Sequence, residues 1–325
     1  MQTIKNIVAP WDENIRVVLS QTKENDIVHR KILEVNPENW YIAPEVRSLL
    51  EMGYSKQRSE VWLEQRKLKI TGSKVGIVAN DNAPATKEAH FMVEVGLTPG
   101  FVGDKCTQHG TRYEPHALLY YMYNVQHLGF SFGLIEHHKY HFLGGSPDMI
   151  RDDGLIVEIK CPYNRKEARI KNLFKNKILK NYRCQIQLML EITGQPLAHY
   201  VEYYPPLFGT DHEMYIVEVP RDQEWFKSVL PTLKRYYARL VFFVSKRHDL
   251  IRKIQIQKYL YSKHGDWKHL LLAYYFHIQY LRLCKKTKQM CFKSKSRPIY
   301  KKRVYSKIQD NVNHPSNKMK WRQKN

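Results

Sequence analysis

The spacing of apolar positions changes period along this chain. Through about residue 55 it is weakly helical and broken at Pro10, Pro37 and Pro44, the pattern of an N-terminal helical extension. Between Ser59 and Lys69, the positions Val61, Trp62, Gln65 and Leu68 suit a short amphipathic helix. ITGS interrupts it, and Ser73 is placed to cap a second helix, SKVGIVAN. TKEAHFMVEVGL predicts another helix, after which Gly96, Pro99, Gly100 and Gly103 mark a loop. Helical spacing returns from Arg112 to Val125, with Glu114 near the start.

The period then falls to two. FSFGLIEH, YHFLGG, SPDMI and LIVEIKC are short, β-rich and bounded by Gly and Asp, and Asp153-Gly154 signals a hairpin turn between the last two. A basic linker, YNRKEARIKNLFKNK, leads to a helix from Ile178 to Thr193, stopped at Gly194. Two strands follow, LAHYVEYY and MYIVEV, then a helix over 222–246 and further helix to about Cys284. Helix, strands, helix, strands in this order predict an α/β fold with the hairpin at its centre. The expected organisation is a helical extension over 1–58, a core over 59–246, a helical segment over 247–284 and a basic tail over 285–325.

Charge adds a partner class. The 325 residues carry a formal +22, and residues 285–325 alone hold 14 Lys or Arg against one acid, Asp310. A balance this basic implies a polyanion, nucleic acid first and an anionic membrane second. The sparse apolar content of 285–325 predicts disorder in isolation. DNA binding, nuclear import and simple solubility all remain open for it. The five cysteines form no CxxC pair, so neither a disulfide framework nor a zinc ribbon is expected, and a reducing compartment, nucleus or cytoplasm, fits. The N-terminus has no apolar signal region, and no run of 18 apolar residues predicts a membrane span.

Candidate chemistry concentrates in SPDMIRDDGLIVEIK. Cutting a phosphodiester calls for a divalent ion that neutralises charge and acidifies water, and Mg2+ takes oxygen ligands from one or two carboxylates. Asp148 starts one strand and Glu158 lies on the next. Strand alternation puts Glu158 and Lys160 on one face and Ile159 on the other, leaving the Ile159 carbonyl as a further ligand. A charged pair inside LIVEIKC is costly unless it meets water, metal or a partner. A lone Glu-x-Lys would ordinarily be an exposed pair on a half-buried hairpin, but Pro147-Asp148 across the turn argues for a metal site.

Pro147-Asp148 with Glu158-Ile159-Lys160 matches the PD-(D/E)XK nuclease signature. With WLEQRKLKITGSKVG, HGTRYEPHA, LGGSPDMIRDDGLIVEIKCP and YRCQIQLMLEITG in order over roughly residues 60 to 205, the chain resembles the lambda-exonuclease-like branch. That branch includes YqaJ-type viral recombinases and alkaline exonucleases of DNA viruses. The resemblance implies a restriction-endonuclease-like core, a central mixed β-sheet flanked by helices. It implies a Mg2+-dependent exonuclease, with Mn2+ as substitute, that degrades one strand of duplex DNA from an end, 5′ to 3′, in viral or mobile-element recombination, repair or genome processing. Implied partners are double-stranded DNA ends, a single-strand annealing protein and further copies of the chain. By the same resemblance Asp148, Glu158, the Ile159 carbonyl and Glu114 hold metal, Lys160 positions or activates the attacking water, and Gln185 supports the site. Arg66 and Ser73 would hold the DNA-end phosphate, a role that a guanidinium fork and a helix N-terminus also suit physically. Gln185 and Gln187 cannot share a helix face, so only Gln185 is expected at the site. Two residues depart from the family pattern: Met149 stands where Gly is usual, and ITGS replaces ITAS.

Same-fold alternatives are an endonuclease or ribonuclease; a catalytically silent DNA-binding recombination partner is the third reading. The basic linker 165–180 either lines a DNA channel or is a solvated helix face. His137, His138 and His141 read as exposed strand positions rather than a zinc site, because i and i+3 on a strand face opposite sides. Tyr203 and Tyr204 read as core more than as base-stacking residues.

Overall fold

A computed structural model of the chain describes residues 5–7, 42–79, 84–206 and 211–292. These fall into two compact units, one drawn from residues 1–79 and 100–244 and the other from 80–99 and 245–325.

The first unit contains β1 (Lys5–Ile7), α1 (Pro44–Glu51), α2 (Glu60–Gln65), β2 (Ile70–Thr71) and α3 (Gly72–Val78). After α4 (Pro84–Glu94), which belongs to the second unit, come α5 (Lys105–Val125), β3 (Gly129–Phe130), β4 (Ile135–Glu136), β5 (Leu143–Gly145), β6 (Met149–Arg151) and β7 (Ile156–Lys160). Then follow α6 (Glu167–Leu173), α7 (Lys180–Thr193), β8 (Leu197–Tyr204), β9 (Glu213–Pro220) and α8 (Gln223–His264). A six-stranded sheet has the order β1-β9-β8-β7-β6-β3, and a three-stranded sheet the order β2-β5-β4. β7 and β8 run parallel while β6–β7 and β8–β9 are antiparallel, so the large sheet is mixed. A parallel pair needs a long crossover, and α6 with α7 provide it.

Both faces of the large sheet are covered, which explains why its strands are nearly continuously apolar. On one face Val157, Ile159, Val201 and Ile216 pack with Tyr120, Tyr121 and Met122 of α5. On the other, Ile156, Tyr200, Tyr204 and Val217 pack with Ile170 and Leu173 of α6 and Ile186, Met189 and Leu190 of α7. Tyr203 and Tyr204 are core residues, as expected. Glu202 shares the α6–α7 face, where it accepts from Arg169 Nε at 2.7 and 2.8 Å and from the hydroxyls of Tyr200 and Tyr204.

The hairpin forms where Asp153-Gly154 predicts it: Gly154 has φ +88° and Arg151 N donates to Leu155 O at 2.9 Å. Met149, the departure from Gly, lies in the core and fills space beside Gly129, where a Cβ would come within 1.8 Å of Met149 Sδ.

Four expectations need correction. α5 begins at Lys105, capped by the Asp104 carboxylate on Thr107 N at 2.9 Å. Glu114 is therefore well inside the helix, since the polar, exposed start of α5 leaves no apolar period to read. Ser73 lies within the first turn of α3, whose N-cap is Thr71. α8 runs on past 246 to His264, and its buried residues end at Phe243, so the apolar stripe stops before the helix does. His137 is buried, stacked on His138 and Phe226, with Nδ1 accepting from the amides of Lys139 and Tyr140. It packs inside rather than facing solvent from a strand.

The second unit comprises α4, the end of α8 and α9 (Trp267–Phe292), with α9 lying against α4. Residues 285–292 are the last turns of α9, and residues 293–325 lie outside the described residues. Among the described residues no helix is long and apolar enough to cross a membrane, and Cys106, Cys161, Cys184 and Cys284 are unbridged.

Candidate functional site

β7 sets the geometry. Val157 and Ile159 point into the α5 face, so Glu158 and Lys160 point toward α7, where Gln185 lies. Pairing of β6 with β7 stops at Met149 opposite Val157. Beyond it the Asp148 carboxylate takes over the ladder, its Oδ2 accepting from Ile159 N at 2.7 Å. That bond fixes Asp148 beside Glu158.

Glu158 is fully buried. Its Oε1 accepts from Gln185 Nε2 at 2.5 Å and from Lys160 Nζ, while its Oε2 is buried with no hydrogen-bond partner. Burial, then the neighbouring Asp148 carboxylate, push the Glu158 carboxyl up to about 8. Burial also raises Asp148, against the pull of Lys160 and Ile159 N. Glu114, projecting from α5, is raised by burial and by Asp148. Burial alone would lower Lys160, but Glu158 and Asp148 hold it above the ordinary lysine range, so it is an ammonium here. Three buried carboxyls held high, Glu114 and Glu158 in part by the Asp148 charge, mark a place that favours a cation.

The donors are all oxygens, as a hard divalent ion requires, and the unpartnered Glu158 Oε2 is a buried lone pair that such an ion would satisfy. Asp148, Glu158 and Glu114 therefore fit a metal. Their ligand atoms do not all come within 4.8 Å of one another; among the described residues His127, Asp152 and Asp153 do. That second trio is already satisfied at the hairpin turn. Asp152 pairs with His127 and accepts from Leu128 N, and Asp153 accepts from Arg151 and Leu155 N.

Sequence reasoning missed Arg58. Its Nη2 donates to both oxygens of Glu114, at 3.1 and 2.9 Å. It stands just ahead of the family-like stretch with φ +67°, and no local pattern marks it. Also missed was the path joining the Arg66–Ser73 pair to Asp148. Arg66 lies over the Trp62 ring at 4.1 Å and donates to Thr71 Oγ1 at 3.2 Å and Ser73 Oγ at 3.3 Å. Trp62 Nε1 donates to Ser146 Oγ at 2.9 Å, two residues before Asp148, and Gln57 Nε2 donates to Pro147 O at 3.0 Å. Gly72, between Thr71 and Ser73, approaches Gln185 so closely that a Cβ would meet Gln185 Cγ at 3.1 Å. Arg66, Ser73, Asp148, Glu158, Lys160 and Gln185 thus belong to one connected group. Gln187 does not join it: its amide bonds Pro220 O and Asp222 N. In the basic linker, Arg165 pairs with Glu213 and Glu167, and Arg169 with Glu202, so these two cations are engaged internally.

Residues 61–196 match the model of the YqaJ-like viral recombinase domain. An uncharacterized protein of Acanthamoeba polyphaga mimivirus is 25% identical over 174 residues, 49% of this chain and 32% of that protein, so the chain matches about a third of its relative's length. Among solved structures, an alkaline exonuclease from Laribacter hongkongensis (LHK-Exo) aligns at 24% identity with a TM-score of 0.50, covering 57% of this chain and 95% of that one. The same exonuclease in complex with dAMP aligns at 23% identity and TM-score 0.50, covering 64% and 98%. The α/β core is thus the fold of these exonucleases, a mixed sheet flanked by helices of the PD-(D/E)XK type.

Proposed function

We propose that this chain, whose residues 61–196 form a YqaJ-like viral recombinase domain, is a metal-dependent exonuclease that digests one strand of duplex DNA from an end. The observation that carries the reading is the buried, unpartnered Glu158 Oε2 set among Asp148, Glu114 and the Lys160 ammonium. Asp148, Glu158, the Ile159 carbonyl and Glu114 would hold Mg2+ or Mn2+. A bound divalent ion supplies charge neutralisation at the phosphate and an acidified water. Gln185 fixes Glu158 through Oε1 and so leaves Oε2 as the free donor. Lys160 is protonated, so its part is to orient the attacking water and stabilise charge developing on the phosphate rather than to remove a proton. The Arg66 fork, held over the Trp62 ring beside Ser73, suits a terminal phosphate. A 5′-to-3′ polarity and a role in recombination follow from the resemblance alone.

The test uses linear duplex labelled at either end, a closed circle and a structured RNA, each with Mg2+, Mn2+ or chelator. Loss of the 5′ label from linear duplex, sparing of the circle and RNA, and silence in chelator and in Asp148→Ala are expected. Cutting of the circle or RNA would replace the reading with an endonuclease or ribonuclease. Binding without turnover would make the chain a silent recombination partner.

A further inference from the structure

The second unit carries a surface that the site above does not use. The end of α8 and α9 form a hairpin. Gly265 turns it with φ +70°, the Asp266 carboxylate accepts from Lys268 N at 2.9 Å, and His269 Nδ1 lies 2.7 Å from Gln257 Oε1. α9 lies against α4 and buries Ala273 and Thr287. Another of its faces is uncovered. Trp267, Leu270, Leu271 and Tyr274 are 62%, 48%, 55% and 64% exposed. Their spacing puts them on one side of the helix, and with Ile254 and Lys258 they line an open cavity of about 530 Å³. An apolar area of this kind on a soluble surface marks an interaction site.

Charge selects the occupant. Residues 245–292 hold eleven Lys or Arg and two acids, Asp249 and Asp266. A second copy would bring two strongly basic segments together, which like-charge repulsion opposes. A polyanion is attracted. A duplex offers phosphates but hides its bases, so the exposed rings would gain nothing from it. A single strand offers both, phosphates for lysines and base faces for aromatic rings. We propose that this hairpin binds single-stranded nucleic acid, with Trp267 and Tyr274 as stacking platforms and Lys258 and Lys268 contacting phosphate. The assignment rests on the hairpin surface and not on the catalytic reading. If that reading holds, the strand bound is the one left when its complement is digested.

The test is fluorescence anisotropy of the full chain in EDTA, where no metal-dependent cutting intervenes, with a labelled thymidine oligonucleotide and with a blunt duplex. Trp267→Ala with Tyr274→Ala should weaken oligonucleotide binding about tenfold or more, the loss expected from one or two stacked bases. Duplex affinity and helicity by circular dichroism should not change, and Trp267→Phe with Tyr274→Phe should keep most of the single-strand affinity. Unchanged oligonucleotide affinity in the alanine variant would overturn the proposal, as would equal losses on single strand and duplex. So would sedimentation showing a dimer that the alanine variant dissolves, or loss of binding to phosphatidylserine vesicles with the oligonucleotide unaffected. Because no cleavage is read, failure here leaves the exonuclease reading standing, and inactivity of the nuclease leaves this one standing.

Discussion

Replacing Glu158 with Gln isolates the charge at the centre of the site. The side chain is fully buried, and its carboxyl rises from an ordinary 4.5 to about 8, with burial the first cause and Asp148 the second. A carboxyl raised on folding favours the native state below its unfolded value and loses that contribution as pH climbs through its folded value. For Glu158 the window runs from about pH 4.5 to about pH 8. At about 1.4 kcal/mol per pH unit, a rise from 4.5 to about 8 amounts to a ceiling of roughly 5 kcal/mol. Gln keeps the shape and removes the titration, though Lys160 then loses its partner, which offsets part of the gain. Urea unfolding in EDTA from pH 5 to 9 should show the wild type falling with pH relative to Glu158→Gln. The gap between them should level off above about pH 8. Titration with Mn2+ should show the complementary linkage, affinity rising with pH up to the same point because binding displaces a proton. Parallel stability profiles for wild type and variant across this window would refute the account of Glu158 as a carboxyl whose ionisation opposes folding.

Gly129→Ala should cost about 1–3 kcal/mol in urea unfolding, because its Cβ would collide with Met149 Sδ and crowd Met122 Sδ at 2.9 Å. Adding Met149→Gly should relieve that collision, and no cost for the single change would show the packing argument wrong. Arg169→Met removes the cation facing buried Glu202 and should destabilise by about 3 kcal/mol, at the low end for a broken buried pair because Tyr200 and Tyr204 still donate. The double change Arg169→Met/Glu202→Leu should be less costly than the single one, and an equal or larger loss would count against a buried charge as the cause. Arg66→Lys keeps the charge but loses the planar fork held over Trp62. It should raise KM for 5′-phosphorylated duplex about tenfold or more while 5′-hydroxyl duplex changes little; equal effects on both ends would sink the phosphate-binding role.

The hairpin from Ser146 to Cys161 was legible because its determinants are local. A two-residue period, an Asp-Gly turn and two apolar strands place Glu158 and Lys160 on one face and Ile159 on the other, and the fold keeps that arrangement. α7 was legible for the same reason, as was the choice of Gln185 over Gln187, since positions two apart on a helix cannot face the same way. Where the apolar period falls silent, the reading failed. The polar start of α5 is helical without a stripe to reveal it, and beyond Phe243 the further helix expected there carries no stripe to show that α8 continues unbroken to His264. The site's electrostatics were not legible at all. Glu158 is buried because helices cover both faces of β7, and that depends on α5 and α7, separated from β7 by four strands on one side and by α6 on the other. The grip of Arg58 on Glu114 spans 56 residues, and the bond from Trp62 to Ser146 spans 84. Alternation along a strand is a property of neighbouring residues and can be read from their order. The distance between two side chains far apart in the chain is decided only when the layers pack, and it is those distances that turn a pair of carboxylates into a candidate metal site joined to a phosphate-binding fork.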